Sequence, residues 1–180
     1  MNERGRWRVW LTEEAEVVMA CAAQAAHPRE TGGVLIGVLT GTRPWITHAV
    51  HVPSKASSGT SYELPVGARR RSVDRARRLD FRVGYLGDWH SHPSDIGPST
   101  CDFSTMAAIA ADQASGCARP LLLVLRRVEE DYWVDAQQWA GRSLRPLQVL
   151  RAGPLETGAP SRRGRAKSLR RFAKSLRGRE

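Results

Sequence analysis

The chain of 180 residues has only three cysteines, and their positions fit neither a disulfide framework nor a metal-binding cysteine cluster. Cys21, Cys101 and Cys117 are odd in number and include no Cys-x-x-Cys pair, which argues against a cysteine-based zinc finger. The sequence also lacks any run of about 18 apolar residues, and no apolar signal-peptide core follows its first residues. We therefore expect a cytoplasmic protein without a transmembrane segment.

Acidic residues are scarce at the C-terminal end of the chain. Residues 151–180 contain ten Lys or Arg and only two Glu, so this segment carries +8 of the total net charge of +10. Glycine and proline in its first half are typical of a linker, whereas its second half repeats Ala-Lys-Ser-Leu-Arg with the spacing of a basic amphipathic helix. The composition predicts a folded domain over residues 1–150 and a basic tail over residues 151–180.

The basic tail has two possible roles, and the sequence leaves both open. Residues 161–179 can attract nucleic acid or an acidic partner protein, and the arginines between residues 69 and 78 form a second basic cluster. Binding of nucleic acid or of an acidic surface is therefore an alternative main function. The simpler explanation is a solvated, disordered end that only keeps the protein soluble.

The order of apolar and polar segments predicts an α/β fold in which a mixed β-sheet is flanked by helices. Cap residues, buried apolar runs and polar turns indicate where each element begins and ends. Strands are predicted over residues 7–11, 34–39, 45–52, 83–90, 121–125, 132–139 and 144–150, and helices over residues 12–27, 66–79 and 100–114.

Two histidines at the end of a predicted strand are the first candidates for a metal site. Side chains alternate between the faces of a strand, so His90 and His92 point to the same side. Asp102 supplies a third ligand if the chain turns after Pro93 and a helix begins near Ser99. Two histidines and one carboxylate leave one position for water, which is typical of a hydrolytic zinc centre and not of a closed structural one.

Each part of this pattern also has a simpler explanation. A His-x-His pair is common in proteins without metal, and the segment from Ser99 to Asp102 fits a helix N-cap. The metal and cap interpretations are compatible, because a cap would orient the Asp102 carboxylate. Asp88 shares the face of the two histidines. We expect it to orient one of the imidazoles by a hydrogen bond without binding the metal itself.

Three segments, taken in their order along the chain, resemble the JAMM zinc isopeptidases, the catalytically competent proteins of MPN type. They are Glu30-Thr31-Gly32-Gly33, His90-Ser91-His92-Pro93 and Ser99-Thr100-Cys101-Asp102. The resemblance covers about residues 7–140, and five residues separate Pro93 from Ser99 where many eukaryotic members have six. Gly87-Asp88-Trp89 is most similar to bacterial members, including those encoded beside ubiquitin-like conjugation enzymes in antiphage operons.

The resemblance implies an MPN fold, which is cytidine-deaminase-like, and an isopeptidase that holds one zinc ion on His90, His92 and Asp102. It also implies that Glu30 is the general base and that Ser99 donates to the oxyanion. Without the resemblance, Glu30 would be taken for a solvated turn residue. The implied substrate is a ubiquitin-like modifier or sulfur-carrier protein, or one of its conjugates, cut after the C-terminal glycine.

A zinc deaminase is a second enzymatic hypothesis, because its related fold also contains a catalytic glutamate. That chemistry needs a His-x-Glu segment and a later Pro-Cys-x-x-Cys segment. The sequence contains neither, so we favour the isopeptidase.

Overall fold

Eight strands pair into one mixed sheet in the computed structural model, which describes residues 7–55 and 57–152. A short 3-10 turn over Gln113–Ser115 follows the last helix. In chain order the elements are β1 (Arg8–Thr12), α1 (Glu13–Ala26), β2 (Gly32–Thr40), β3 (Arg43–His51), α2 (Ala68–Arg77), β4 (Gly84–His92), α3 (Thr100–Ala111), β5 (Leu121–Val128), β6 (Asp131–Trp139), β7 (Leu144–Pro146) and β8 (Gln148–Ala152).

The strand that carries the two histidines lies inside the sheet. The strand order is β7-β6-β5-β4-β2-β3-β1-β8, with β4 antiparallel to β2 and parallel to β5. In this register His90 is paired with Gly32 on one side and with Val124 on the other, and His92 is paired with Arg126. The start of β2 and the end of β5 therefore flank the histidines.

The two faces of the sheet are covered differently. Helix α1 packs on one face, where Trp89 and other apolar residues form the largest buried cluster. On the other face α3 packs against Leu122 and Val124 through Met106 and Ile109. Helix α2 covers a smaller apolar cluster on that second face. Because β4 alternates, Trp89 enters the core under α1 while the two histidines face the side of α2 and α3.

The predicted mixed sheet with flanking helices is confirmed, with several boundaries shifted; two of these differences bear on the fold. The predicted helix over residues 66–79 is shorter, because Gly67 adopts a left-handed conformation with φ of 74° and leaves Val66 fully outside the helix. The predicted strand over residues 144–150 is two strands on opposite edges. Leu147 N–H still donates to the Ala136 carbonyl oxygen of β6 (2.8 Å), and the chain then crosses to β1, where Gln148 N–H donates to the Trp7 carbonyl oxygen (3.0 Å).

Two further expectations concern membrane-spanning segments and the C-terminal end of the chain. Within the described residues, no helix has the length and apolar content needed to cross a membrane. The last strand, β8, ends at Ala152. The expected linker and amphipathic helix of the basic tail lie outside the described residues.

Candidate metal centre

Two glycines let β2 approach its neighbours closely at the position where the site begins. A Cβ atom on Gly32 would collide with the Trp89 carbonyl oxygen, and one on Gly33 with the Val50 carbonyl oxygen. Any larger residue would push the strands apart. The glycines therefore hold the start of β2, and Glu30 just before it, against the end of β4.

Hydrogen bonds across this strand pair fix the position of Glu30 further. Ser91 N–H donates to the Thr31 carbonyl oxygen (2.7 Å), and Thr31 N–H donates to Ser91 Oγ (3.1 Å). Glu30 N–H donates to the Ser58 carbonyl oxygen (2.6 Å) from the loop after β3. The backbone of Glu30 and Thr31 is thus bound, which fixes the point from which the Glu30 side chain extends.

Three donor atoms converge above the end of β4. His90 Nε2 lies 3.0 Å from His92 Nε2 and 3.3 Å from Asp102 Oδ1. All three residues offer ligand atoms within 4.8 Å of one another, and both histidines are buried. Sequence reasoning placed these residues in one site, and the structure brings them together.

The aspartate reaches this position because α3 begins with a capping box. Ser99 Oγ accepts from Asp102 N–H (3.2 Å), while Asp102 Oδ2 accepts from Ser99 N–H (2.6 Å). The Ser99 hydroxyl also donates to Asp102 Oδ2 (2.7 Å). The predicted N-cap is therefore confirmed, and it holds Oδ2 so that Oδ1 faces His90.

A backbone carbonyl sets the orientation of His92. His92 Nδ1 lies 2.7 Å from the Ile96 carbonyl oxygen, which can only accept, so Nδ1 carries the proton. The lone pair is then on Nε2, the atom that faces the other donors. This contact could not be predicted from the sequence, because the type of a residue does not indicate the direction of its backbone carbonyl group.

The protonation of the remaining groups also fits a cation. Burial lowers the pKa of His90 to about 4, although the Asp102 carboxylate acts in the opposite direction. A neutral imidazole is therefore favoured at His90. Two imidazole nitrogens and a carboxylate oxygen held this close form the donor set that a transition-metal ion satisfies. The residues present thus fit a metal ion.

Glu30 lies beside this donor group. Its Oε1 is 3.8 Å from His92 Nε2, and the residue is only 7% exposed. Burial raises the pKa of Glu30, the nearby His92 lowers it, and the Asp102 carboxylate raises it again. A carboxylate whose pKa is raised takes up a proton more readily than one in water.

Comparison with known proteins shows where the chain belongs. A family profile described as prokaryotic homologs of the JAB domain (Prok-JAB) matches residues 12–140. The chain belongs to this family. The match includes Glu30, both histidines, Ser99 and Asp102.

Individual relatives of this JAB-domain chain agree with the family assignment. It is 27% identical over 148 residues to the probable metalloprotease y4qB of Sinorhizobium fredii (strain NBRC 101917 / NGR234), which covers 76% of the chain and 85% of that protein. It is 32% identical over 128 residues to a CD-NTase/cGAS isopeptidase of Enterobacter hormaechei subsp. hoffmannii (strain UCI 50), which covers 69% of the chain and 70% of that protein.

A solved structure shares the fold of this JAB domain. The solution structure of protein DSY2949 from Desulfitobacterium hafniense has a TM-score of 0.62 at 18% identity, covering 82% of this chain and 95% of that one. Family, relatives and the His-His-Asp group together establish a JAMM-type metalloprotease with the MPN fold.

A second polar cluster of the JAB domain lies on the same face of β4, and it corrects one expectation. Asp88 does not orient a histidine: its Oδ1 accepts from the Tyr85 hydroxyl (2.9 Å) and its Oδ2 from Arg69 Nη2 (3.0 Å). Burial raises the pKa of Asp88, and the Arg69 guanidinium lowers it. Arg69 belongs to the basic cluster noted in the sequence between residues 69 and 78, but it points inward to this carboxylate.

Proposed function

We propose that this JAB-domain protein is a zinc-dependent isopeptidase. It cleaves after the C-terminal glycine of a ubiquitin-like modifier or a sulfur-carrier protein, in deconjugation or in precursor processing. The observation that carries the proposal is the convergence of the His90, His92 and Asp102 donor atoms, with the Glu30 carboxylate 3.8 Å from one of them. The similarity to a CD-NTase/cGAS isopeptidase supports a protein conjugate as the substrate.

One zinc ion per chain is the proposed cofactor, with His90, His92 and Asp102 as its ligands. Two neutral imidazoles and one carboxylate suit Zn²⁺ better than Mg²⁺ or Ca²⁺, which prefer oxygen ligands. When bound, zinc supplies a Lewis acid and a water molecule of lowered pKa. The chain contributes the tautomer of His92 and the direction of Asp102 Oδ1, both set by hydrogen bonds.

Glu30 is the proposed general base and later the general acid. Its buried carboxylate takes a proton near the donor group and returns it to the departing amine. The raised pKa supports the first part of this role, because a carboxylate with a raised pKa takes up a proton more readily than one with an ordinary pKa. The hydrogen bonds of the neighbouring backbone keep the carboxylate in place between the two transfers.

Ser99 is the proposed donor to the oxyanion. In the structure its hydroxyl donates to Asp102 Oδ2, so it has to rotate toward the substrate for this role. That rotation leaves Asp102 held, because Ser99 N–H still donates to the same oxygen (2.6 Å). One hydroxyl can thus serve both the resting site and the reaction without releasing a ligand.

The depth of the donor atoms favours small residues at the scissile bond. His90 is 8% exposed and His92 is 7% exposed, so a peptide carbonyl reaches them only when its own side chains leave room. Glycine has no side chain to clash with the neighbouring strands or with the loop after β4. This supports a substrate whose extended C-terminal segment ends in glycine.

A pair of fusion proteins tests the substrate proposal. A ubiquitin-like protein ending in Gly-Gly is fused to a reporter, and the matched control has Val in place of the last Gly. We expect cleavage after the last Gly in the first fusion and resistance in the second, measured by mass spectrometry of the products. Equal cleavage of both junctions would show a general peptidase. A Glu30→Gln enzyme identifies any contaminating protease.

The basic tail, residues 151–180, is proposed as a segment separate from the catalytic domain of residues 1–150, apart from Arg151 and Ala152, which complete β8 of the sheet. Its charge of +8 supports contact with nucleic acid or with an acidic partner through residues 161–179. Because β8 ends at Ala152, deletion of residues 153–180 keeps the sheet whole. We expect the shortened enzyme to cut a minimal substrate at an unchanged rate but to bind nucleic acid less strongly, with a shallower dependence on salt. Loss of activity would place the tail inside the catalytic domain.

A further inference from the structure

One arginine holds the loop of residues 93–98, which connects β4 to α3. Arg126 Nη1 lies 2.9 Å from Asp95 Oδ1 in this loop, and Arg126 Nε lies 3.8 Å from Asp135 Oδ2 on β6. Arg126 thus links the loop to the sheet. It reaches both carboxylates because it follows the buried part of β5, beside β4 on one side and β6 on the other.

The strand register places this arginine next to the metal site. In the parallel pair of β4 and β5, Arg126 is the partner of His92. Side chains that are paired across neighbouring strands point to the same face of the sheet. The guanidinium therefore lies on the face of the donor group, directly in front of the loop.

The loop carries the carbonyl group that orients His92. Ile96 accepts from His92 Nδ1 (2.7 Å), and its own N–H donates to the Ser94 carbonyl oxygen (2.9 Å) in a tight turn. Asp95, the residue bound by Arg126, lies between these two contacts. A displacement of Asp95 therefore moves the Ile96 carbonyl group as well.

The residue after Ile96 faces the same ion-pair group. A Cβ atom built on Gly97 would lie 3.6 Å from Asp135 Oδ2, the oxygen that faces Arg126 Nε. The Asp135 carboxylate therefore lies beside Gly97, and the loop has ion-pair residues on both sides of the Ile96 carbonyl group.

We propose that Arg126 is a positioning residue for His92. By holding Asp95, it keeps the Ile96 carbonyl oxygen on His92 Nδ1, so that Nδ1 bears the proton and Nε2 is free to bind metal. The inference rests on the proposed function in one respect, that His92 is a metal ligand. Arg126 acts through the loop and does not touch the reacting atoms.

The exposure of the ion pair argues that its role is orientation and not fold stability. The Arg126 side chain is 32% exposed and that of Asp95 is 56% exposed. Ion pairs this exposed contribute little to the free energy of unfolding. The buried Nε of Arg126 also has no hydrogen-bond partner among the described residues. Loss of the pair should therefore leave the fold intact and affect the geometry of the loop.

The test compares full-length variants that differ only in this contact. Arg126→Gln and Asp95→Asn each remove the ion pair, and Arg126→Lys keeps the positive charge. The double variant shows whether the two single changes act through the same contact. Arg82→Gln is the matched control, because it breaks an Arg–Asp pair of similar length (2.8 Å) in the turn after α2. Zinc affinity is measured by competition with a chelator. Long-range ¹H–¹⁵N NMR of the metal-free chain reports the tautomer of His92.

We expect Arg126→Gln and Asp95→Asn each to weaken zinc binding about tenfold. This is the low end of the loss of metal affinity that is typical when a group orienting a ligand histidine is changed. Both should give a mixture of His92 tautomers, and the double variant should be no weaker than the weaker single one. Arg126→Lys should restore most of the affinity, and Arg82→Gln should match the parent.

The outcomes separate this proposal from the proposed function. If the parent binds zinc and Arg126→Gln changes neither affinity nor tautomer, Arg126 is not a positioning residue. An increase in KM alone, with unchanged zinc affinity, would overturn it too, since Arg126 would then contact the substrate. If the parent binds no zinc, the proposed function fails, and the tautomer in the metal-free chain still decides the role of Arg126.

Discussion

Two clusters of buried polar side chains lie on the same face of β4, and they differ in how their atoms are satisfied. In the Asp88 cluster each carboxylate oxygen has its own donor, from Tyr85 and from Arg69. At the metal centre, acceptor atoms of His92, Asp102 and Glu30 face one another across a few ångströms. Burial alone therefore does not mark a site. The mark is a surplus of acceptors, which a cation can satisfy.

Removing ligands from the metal centre should have the largest effect. We expect His90→Ala with His92→Ala to abolish metal binding and activity, because one carboxylate cannot hold the ion alone. Metal analysis of protein purified without added metal should find about one zinc per parent chain and none in the double variant. Stoichiometric zinc in the double variant would place the metal elsewhere.

Neutralising the proposed base at the metal centre should have the second-largest effect. Glu30→Gln keeps the size of the side chain and removes only proton transfer, so turnover should fall by about 10²- to 10⁴-fold while zinc stays bound. Single-turnover cleavage and metal content are measured on the same preparation. A variant that cleaves as fast as the parent would remove Glu30 from the mechanism.

Breaking the Asp88 cluster should lower the stability of the fold and leave metal binding unchanged. Asp88→Asn leaves the Arg69 guanidinium, whose side chain is 29% exposed, without its counter-charge. We expect the free energy of unfolding to fall by about 3 kcal/mol, with zinc stoichiometry unchanged. Urea unfolding of the zinc-loaded protein measures the loss. Arg70→Gln, which breaks an exposed pair with Asp74 on the same helix, is the control and should cost little.

Ser99 belongs to the metal centre and also caps a helix, so it should show the smallest, mixed effect. Ser99→Ala removes the hydroxyl from Asp102 N–H and should lower the free energy of unfolding by about 1 kcal/mol. Turnover should fall less than in Glu30→Gln, and zinc should remain. Ser104→Ala removes another hydroxyl from α3, one bound to the Thr100 carbonyl oxygen, and serves as control. An equal loss of turnover in both would rule out an oxyanion role for Ser99.

Local sequence patterns were sufficient to predict the parts of the site that depend on neighbouring residues. The alternation of β4 places His90 and His92 on one face, and the capping box turns Asp102 toward them. Both follow from spacings of two and three residues. The mixed sheet with flanking helices also follows from local periodicity.

Contacts that depend on strand register were beyond local patterns. Arg69 reaches Asp88 only because α2 lies over β4, and Arg126 faces Asp95 only because β5 pairs with β4 in one particular register. The split of the last predicted strand into β7 and β8 depends on which edge of the sheet is free. None of these relations is encoded within a short window of sequence.

The docking of α3 has a consequence for the newly synthesised chain. The capping box orients Asp102 within α3, and the packing of Met106 and Ile109 on Leu122 and Val124 of β5 docks that helix on the sheet. β5 emerges from the ribosome after both histidines, and Thr31 meets Ser91 across 60 residues of chain. Contacts this distant along the chain form late in folding. We therefore expect a nascent chain that already displays both histidines to lack a docked Asp102, and with it a complete donor group, until β5 has been made.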